Sequence, residues 1–261
     1  VSIYGGAVAV NADITATGGS ILLDADTGVG ISSGVDGINI SNGTNIKTLT
    51  SGDITLLGRS GTGNIDGLIG IESIGTSTVI NSAGDLYISG ISESSSSTTT
   101  RGLWIKGQLR AAGDFTLIGQ AKSANDYDVS VQDVTIEVGG DIVFNAENGG
   151  RIRMAGTNSI TSTGSQTYYT NNFNPNAGNQ FTGSGSFTLL PDTDNTSFIN
   201  APNLSSLVFG NSFTAFTIGS STNTSNITLF GTCASATCCL SHFFYSQLTF
   251  ILIVVSIHIV L

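Results

Sequence analysis

The chain has 261 residues, with 18 Asp and Glu against 8 Lys and Arg, and a net charge of −10. No basic cluster is present to neutralise phosphates, so neither nucleic acid nor an anionic membrane surface is an expected partner. Apolar residues make up 39% and charged residues only 10%, enough for a core under a surface of Thr, Ser and Asn, which suits an extracellular β structure.

Residues 1–18 read as three short strands, centred on Ile3, Val8 to Val10, and Ile14 to Ala16. Residues 19–51 repeat the plan with Gly19-Ser20-Ile21-Leu22-Leu23, Ile38-Asn39-Ile40 and Ile46-Lys47-Thr48-Leu49. Next comes Gly52-Asp53-Ile54-Thr55-Leu56, the segment around which the chain is organised. It recurs as Gly84-Asp85-Leu86-Tyr87-Ile88, Gly113-Asp114-Phe115-Thr116-Leu117 and Gly140-Asp141-Ile142-Val143-Phe144. Counted from Gly19, the glycines are 33, 32, 29 and 27 residues apart, the signature of a repeat architecture.

Two further apolar runs follow each copy. The first set is Leu68-Ile69-Gly70-Ile71, Leu103-Trp104-Ile105, Val129-Ser130-Val131 and Arg151-Ile152-Arg153-Met154. The second is Thr78-Val79-Ile80, Gln108-Leu109-Arg110, Val134-Thr135-Ile136 and Ser159-Ile160-Thr161. Side chains alternate with period two, so each run is a strand with one apolar face. Three strands make one rung, and a lone rung cannot bury its apolar face. Stacking rungs at about 4.8 Å gives parallel sheets and an inward ladder of Ile54, Leu86, Phe115 and Ile142. The expected fold is all-β: a parallel β-helix, or solenoid, of single strands with rungs of roughly 27–33 residues.

Glycine is expected at each copy because the chain turns sharply there, often at positive φ. Aspartate is expected to bond backbone amides in the turn. A stacked acidic row of Asp53, Asp85, Asp114 and Asp141 holding cations is the alternative.

Regular repeats are expected over 1–163. The run 92–100 is nearly all Ser and Thr and reads as a loop bulging from its rung, either a solvated spacer or a recognition loop. Over 164–231 the composition shifts to Tyr168, Tyr169, Phe173, Phe181, Phe187 and Phe198 among Asn, Gly, Ser and Thr. The solenoid is expected to continue there with wider or less regular rungs, ending near Asn226-Ile227-Thr228-Leu229; a separate small β domain is the alternative. Residues 232–261 hold Cys233, Cys238, Cys239, His242 and His258 but no Asp, Glu, Lys or Arg. This apolar tail reads as a membrane segment, a final buried strand, or sequence foreign to the native design.

Candidate chemistry is sparse. Cys233, Cys238, Cys239 and His242 do not have the ligand spacing of a usual zinc site. No Ser/His/Asp set can form in a body without histidine. A carbohydrate-cleaving site needs clustered carboxylates, alone or with a basic residue, and the best local set is Lys122, Asp126, Asp128, Arg151 and Arg153. Trp104, the only tryptophan, is expected to point outward, where it could stack on a sugar. No catalytic, cofactor-binding or metal-ligating residue is assigned, and no cofactor is expected.

The Gly-Asp-Ile-Thr-Leu-Leu-Gly and Gly-Asp-Ile-Val-Phe-Asn-Ala-Glu segments resemble the large surface proteins of Gram-negative bacteria. So do residues 159–168 and the run Phe216-Thr217-Ile218-Gly219 leading to Asn226-Ile227-Thr228-Leu229. Over roughly residues 13–230 the chain resembles the filamentous-haemagglutinin-like adhesins exported by two-partner secretion. The resemblance implies a right-handed coil and passage through an outer-membrane transporter. It also implies a stalk that mediates adhesion or biofilm contacts without catalysis, with glycans or proteins of host or neighbouring cells as partners. The family's secretion domain is not recognisable, and the last thirty or so residues match nothing in it. The alternative function is a carbohydrate-active β-helix enzyme.

Overall fold

The computed structural model describes residues 1–26, 34–96, 100–123, 126–147 and 150–192, then 198, 202, 204, 207–210, 212–220 and 232–233. Every regular element among them is a strand, and the strands pair in parallel in two sheets. In chain order the strands are β1 Ser2–Tyr4, β2 Val8–Val10, β3 Ile14–Ala16, β4 Ile21–Ala25, β5 Ile38–Ile40, β6 Asn45–Thr48, β7 Ile54–Arg59 and β8 Ile69–Ser73. They continue as β9 Val79–Ser82, β10 Leu86–Ser92, β11 Arg101–Ala111, β12 Phe115–Ala121, β13 Tyr127–Val138, β14 Ile142–Ala146, β15 Arg151–Ala155 and β16 Ser159–Ser162. The last are β17 Gln166–Tyr169, β18 Asn172–Pro175, β19 Gln180–Gly183, β20 Ser186–Leu190, β21 Val208–Phe209, β22 Ala215–Ile218 and β23 Thr232–Cys233.

The first sheet runs β1-β4-β7-β10-β12-β14-β17-β20-β22. Its register is the one that the Gly-Asp copies require. Ile21 lies opposite Ile54, Ile54 opposite Leu86, Leu86 opposite Phe115 and Phe115 opposite Ile142. All five are at most 1% exposed, and each contributes roughly 1.5–3 kcal/mol by burial. The same strands align Leu23, Leu56, Ile88, Leu117, Phe144, Tyr168 and Leu189 in a second inward column.

The second sheet has two limbs. One carries β2, β5, β8, β15 and β18; the other carries β3, β6, β9, β16, β19, β21 and β23. The long strands β11 and β13 belong to both limbs and join them. Each bends midway, where the register slips between Ile105 and Gly107. Gly107 has φ +97° and Asp133 has φ 50°, the conformation a bulge needs in order to re-aim a strand. The sequence suggested separate second and third strands in these two rungs, but the bend is tight enough for pairing to run through it.

At the corner leading into the first sheet, glycine and aspartate act together. Only Gly19 and Gly52 have positive φ at this corner; Gly84, Gly113 and Gly140 do not. Their shared requirement is space. A Cβ on Gly84, Gly113, Gly140 or Gly164 would fall 2.1–2.3 Å from Oδ1 of Asp53, Asp85, Asp114 or Asp141 respectively. The aspartate of one repeat lies across the glycine of the next, so along most of the stack the glycine is required by close approach rather than by φ. At another bend the buried Asn158 and Asn179 do similar work. Val134 N donates to Asn158 Oδ1 at 3.0 Å, and Asn158 N donates to Asn179 Oδ1 at 3.2 Å.

Beyond residue 164 the parallel stacking continues through β17, β20 and β22. Paired positions along this sheet lie 24 residues apart up to Ser165, then 21 and then 29, so the spacing becomes less regular there. The interior turns aromatic. Phe144 and Tyr168 rings lie 5.1 Å apart, Tyr168 and Phe187 5.2 Å, Phe187 and Phe209 4.9 Å, and Phe209 and Phe216 5.1 Å. Gln166 occupies an inward position opposite Ile142 and is fully buried. It accepts the Tyr168 hydroxyl at 3.0 Å and donates to Thr182 O at 2.8 Å, so the buried phenol keeps a partner.

The Ser/Thr run departs from expectation. Ser92, Ser94, Ser96 and Thr100 are all at most 4% exposed, and Ser94 Oγ donates to Gly63 O at 3.1 Å and Ile65 O at 2.8 Å. Small hydroxyl side chains can enter the interior because backbone carbonyls of the preceding rung accept from them; residues 97–99 lie outside the described residues. So do 221–231, including Asn226 to Leu229, and 234–261. Of the tail, only β23 is described, paired in parallel with β21. No described helix is long and apolar enough to cross a membrane.

Candidate functional site

One outward column on the first limb of the second sheet differs from the rest of the surface. Register places Asn39, Glu72, Trp104, Ser130, Arg153 and Asn174 opposite one another on successive strands. Arg101, at the start of β11, lies opposite Tyr127 at the start of β13. Lys106 is two residues beyond Trp104 and shares its outward face. Arg151 is likewise two residues before Arg153 on β15.

These side chains converge on two aromatic rings. The Arg101 guanidinium carbon is 4.3 Å and Lys106 Nζ 4.2 Å from the Trp104 ring centre. The guanidinium carbons of Arg153 and Arg151 are 5.4 and 6.0 Å from the Tyr127 ring centre. Cations over ring faces at these distances are attracted by the ring quadrupole. The cluster thus gathers half of the 8 Lys and Arg of an acidic chain. Among the described residues, salt bridges engage Arg59, Arg110 and Lys122, but not Arg101, Lys106 or Arg153.

The electrostatics match that crowding. Burial holds the Arg101 guanidinium below its ordinary range, and the Arg153 charge lowers it further; Asp126 and Glu72 oppose this. Burial raises the Glu72 carboxyl, as does the Asp36 charge, while Lys106 and Arg101 pull it down. Glu72 accepts Asn39 Nδ2 at 3.3 Å. Arg101 Nε, Trp104 Nε1 and Ser130 Oγ are buried polar atoms with no hydrogen-bond partner among the described residues. Three such atoms on one patch are unusual, because buried polar groups are ordinarily paired.

The local set suggested by the sequence is divided by the fold. Arg151 and Arg153 come together over Tyr127. Lys122 lies apart, with Nζ 3.8 Å from Glu93 Oε2. Asp126 is buried and accepts the Thr100 hydroxyl. Asp128 is buried and accepts Ala121 N at 2.7 Å and Arg151 N at 2.6 Å; burial raises its carboxyl to about 7. Each oxygen of Asp128 therefore faces a backbone amide, an arrangement that pins β12 and β15 to the start of β13. Trp104 points outward as expected but is half-buried, and its ring serves as a platform for cations.

Asp53, Asp85, Asp114 and Asp141 do form a stacked exposed row. Oδ1 of the first three accepts the backbone N–H of the next aspartate, at 2.9, 2.8 and 2.8 Å, and Asp141 Oδ1 accepts Ser165 N at 2.7 Å. The bond reaches the neighbouring rung instead of the aspartate's own turn. No group of three or more His, Cys, Asp or Glu among the described residues is placed to hold a metal ion. Cys238, Cys239 and His242 lie outside the described residues, as does the Cys233 side chain. A shallow corner groove passes Thr48, Asn81, Arg110, Glu137 and Thr161, but its charges are paired, with Arg110 Nε 2.7 Å from Glu137 Oε2.

Arg101 and Lys106 did not stand out in the sequence. They could have been found by adding the rung separation of 27 residues to Arg101, which lands beside Tyr127. No protein-family model, curated protein or solved structure matches the chain.

Proposed function

We propose that the chain is a non-catalytic stalk segment of a secreted or surface-bound adhesin of the filamentous-haemagglutinin-like kind. In this reading the two parallel sheets belong to one right-handed β-helix, with rungs of roughly 27–33 residues in its regular part. The supporting observation is the register. One inward column runs from Leu23 to Leu189 with Ile, Leu, Phe and Tyr in line, and the aspartates bond each rung to the next. A structure that grows by adding rungs is an extended support that presents its outer faces repeatedly. The partners are glycans or proteins of host or neighbouring cells, with an outer-membrane transporter acting during export.

The runner-up is a carbohydrate-active β-helix enzyme. Its favourable observation is Asp128, with a carboxyl near neutrality, close in sequence to Tyr127 and bonded to Arg151 N. Against it, both Asp128 oxygens accept backbone amides, and so does each row aspartate's Oδ1.

The test is retention of beads coated with the purified chain on epithelial cells and on bacterial lawns, run beside an assay for new reducing ends and unsaturated uronates from acidic polysaccharides. The stalk reading predicts retention above albumin-coated beads and no product. Product formation that disappears in Asp128→Asn, or retention no better than albumin, contradicts it.

A further inference from the structure

We propose that the outer face around Trp104 and Tyr127 is a binding site for an acidic glycan, a pyranose chain carrying an anionic group on at least every second sugar. This deepens the binding role proposed above and rests on it for the assignment to a surface protein. The site itself is argued from charge, geometry and unpartnered polar atoms.

The charge is the first ground. Arg101 and Lys106 on β11, and Arg151 and Arg153 on β15, flank β13 in a chain whose net charge is −10. Cations gathered against the sign of the whole molecule, with Arg153 depressing Arg101, are an arrangement that costs stability unless an anion relieves it. Asp126 and Glu72 offset only part of it at Arg101, whose guanidinium stays below its ordinary range. Asp126 is buried under Thr100, and Glu72 is raised by its own burial and bonded to Asn39.

The second ground is geometry. The rings of Trp104 and Tyr127 hold the cations over their faces, so the guanidinium planes are positioned before any ligand arrives. A guanidinium binds a carboxylate or sulfate through two parallel N–H bonds. Strands repeat at about 4.8 Å, comparable to one pyranose unit of an extended chain, so anionic groups two sugars apart meet the cations of β11 and β15 on either side of β13. Asn39 and Glu72 above, and Asn174 below, extend the same column and suit sugar hydroxyls. The third ground is the unpartnered set. Arg101 Nε and Trp104 Nε1 can only donate, and Ser130 Oγ can do both, which matches a ligand rich in oxygen acceptors.

Trp104 is the only tryptophan, so its fluorescence reports on the site directly. The experiment titrates the full chain with hexagalacturonate, a sulfated heparin hexasaccharide, neutral maltohexaose and a single-stranded DNA oligonucleotide of equal charge. The expected result is a saturable fluorescence change with one or both acidic glycans, the preferred one revealing whether carboxylate or sulfate is read. Maltohexaose should give none and DNA should bind at least ten-fold more weakly. Binding should weaken with added salt. Arg101→Gln and Arg153→Gln should each weaken the glycan about ten-fold or more, with the far-ultraviolet spectrum unchanged, while Lys122→Gln should not alter it. No response to either acidic glycan, equal binding of DNA, or unchanged affinity in both arginine variants overturns the proposal. Failure here with cell retention intact removes this site alone; loss of retention with glycan binding intact removes the adhesin reading instead.

Discussion

Oδ1 of Asp85 accepts the backbone N–H of Asp114 at 2.8 Å, and in doing so the carboxylate fills the space that a Cβ on Gly113 would need. The two residues of each Gly-Asp pair thus serve different neighbours. The glycine makes room for the aspartate of the rung before it, and the aspartate fastens the rung after it. Gly113→Ala should cost roughly 1–3 kcal/mol as overpacking. Asp85→Ala should cost about 1 kcal/mol for the lost bond at an exposed site. The double variant should lose clearly less than the sum, because removing the Asp85 carboxylate clears the position 2.1 Å from the new methyl. Urea unfolding of the four proteins measures the coupling; strict additivity contradicts this account of the glycine.

Phe144 joins the aliphatic part of the core to the aromatic part. Its ring lies 6.0 Å from Phe115 and 5.1 Å from Tyr168, and it is fully buried. Phe144→Ala should destabilise by roughly 3–5 kcal/mol, and Phe144→Leu by less than about 1.5 kcal/mol. Equilibrium denaturation checks both. A small cost for the alanine would mean that the interior at this rung is not packed as described.

Asp128 sets a pH dependence. Its carboxyl is raised to about 7, first by burial, then opposed by the amides of Ala121 and Arg151, with Asp192 adding a repulsive charge. A raised carboxyl binds its proton more tightly in the folded chain than in the unfolded one. Its contribution is therefore fully present below about pH 4 and is lost as pH rises through about 7. Asp36 and Glu72 are raised as well and act in the same direction. Thermal midpoints measured between pH 4 and 8 should fall toward the upper end. Asp128→Asn should flatten part of that slope, and a slope identical to the parent's contradicts the assignment.

Much of the fold was legible because a parallel stack converts sequence spacing directly into spatial register. Ile54, Leu86, Phe115 and Ile142 were placed in line by counting from one glycine to the next. What escaped the sequence were features that exist only between rungs. Gly84 looks like a turn glycine, yet its constraint is the Asp53 carboxylate beneath it. Ser94 looks like a solvated loop residue, yet it is buried because carbonyls 31 and 29 residues earlier accept its hydroxyl. Arg151 and Arg153 were noticed as charges, but the cluster was not, because Arg101 and Lys106 reach them only through stacking across β13.

Engineered disulfides test the parallel register most directly. Thr116 and Val143 lie opposite each other on β12 and β14 and both face outward, whereas Tyr87 is one strand further away. Opposite positions on neighbouring strands are about 4.8 Å apart, within the range of about 4.4–6.8 Å that a disulfide spans, and positions two strands apart are near 10 Å. In a chain with Cys233, Cys238 and Cys239 changed to Ser, Thr116→Cys with Val143→Cys should oxidise to an intramolecular disulfide, while Tyr87→Cys with Val143→Cys should stay reduced. Efficient closure of the second pair, or none of the first, contradicts the stacking on which the whole account depends.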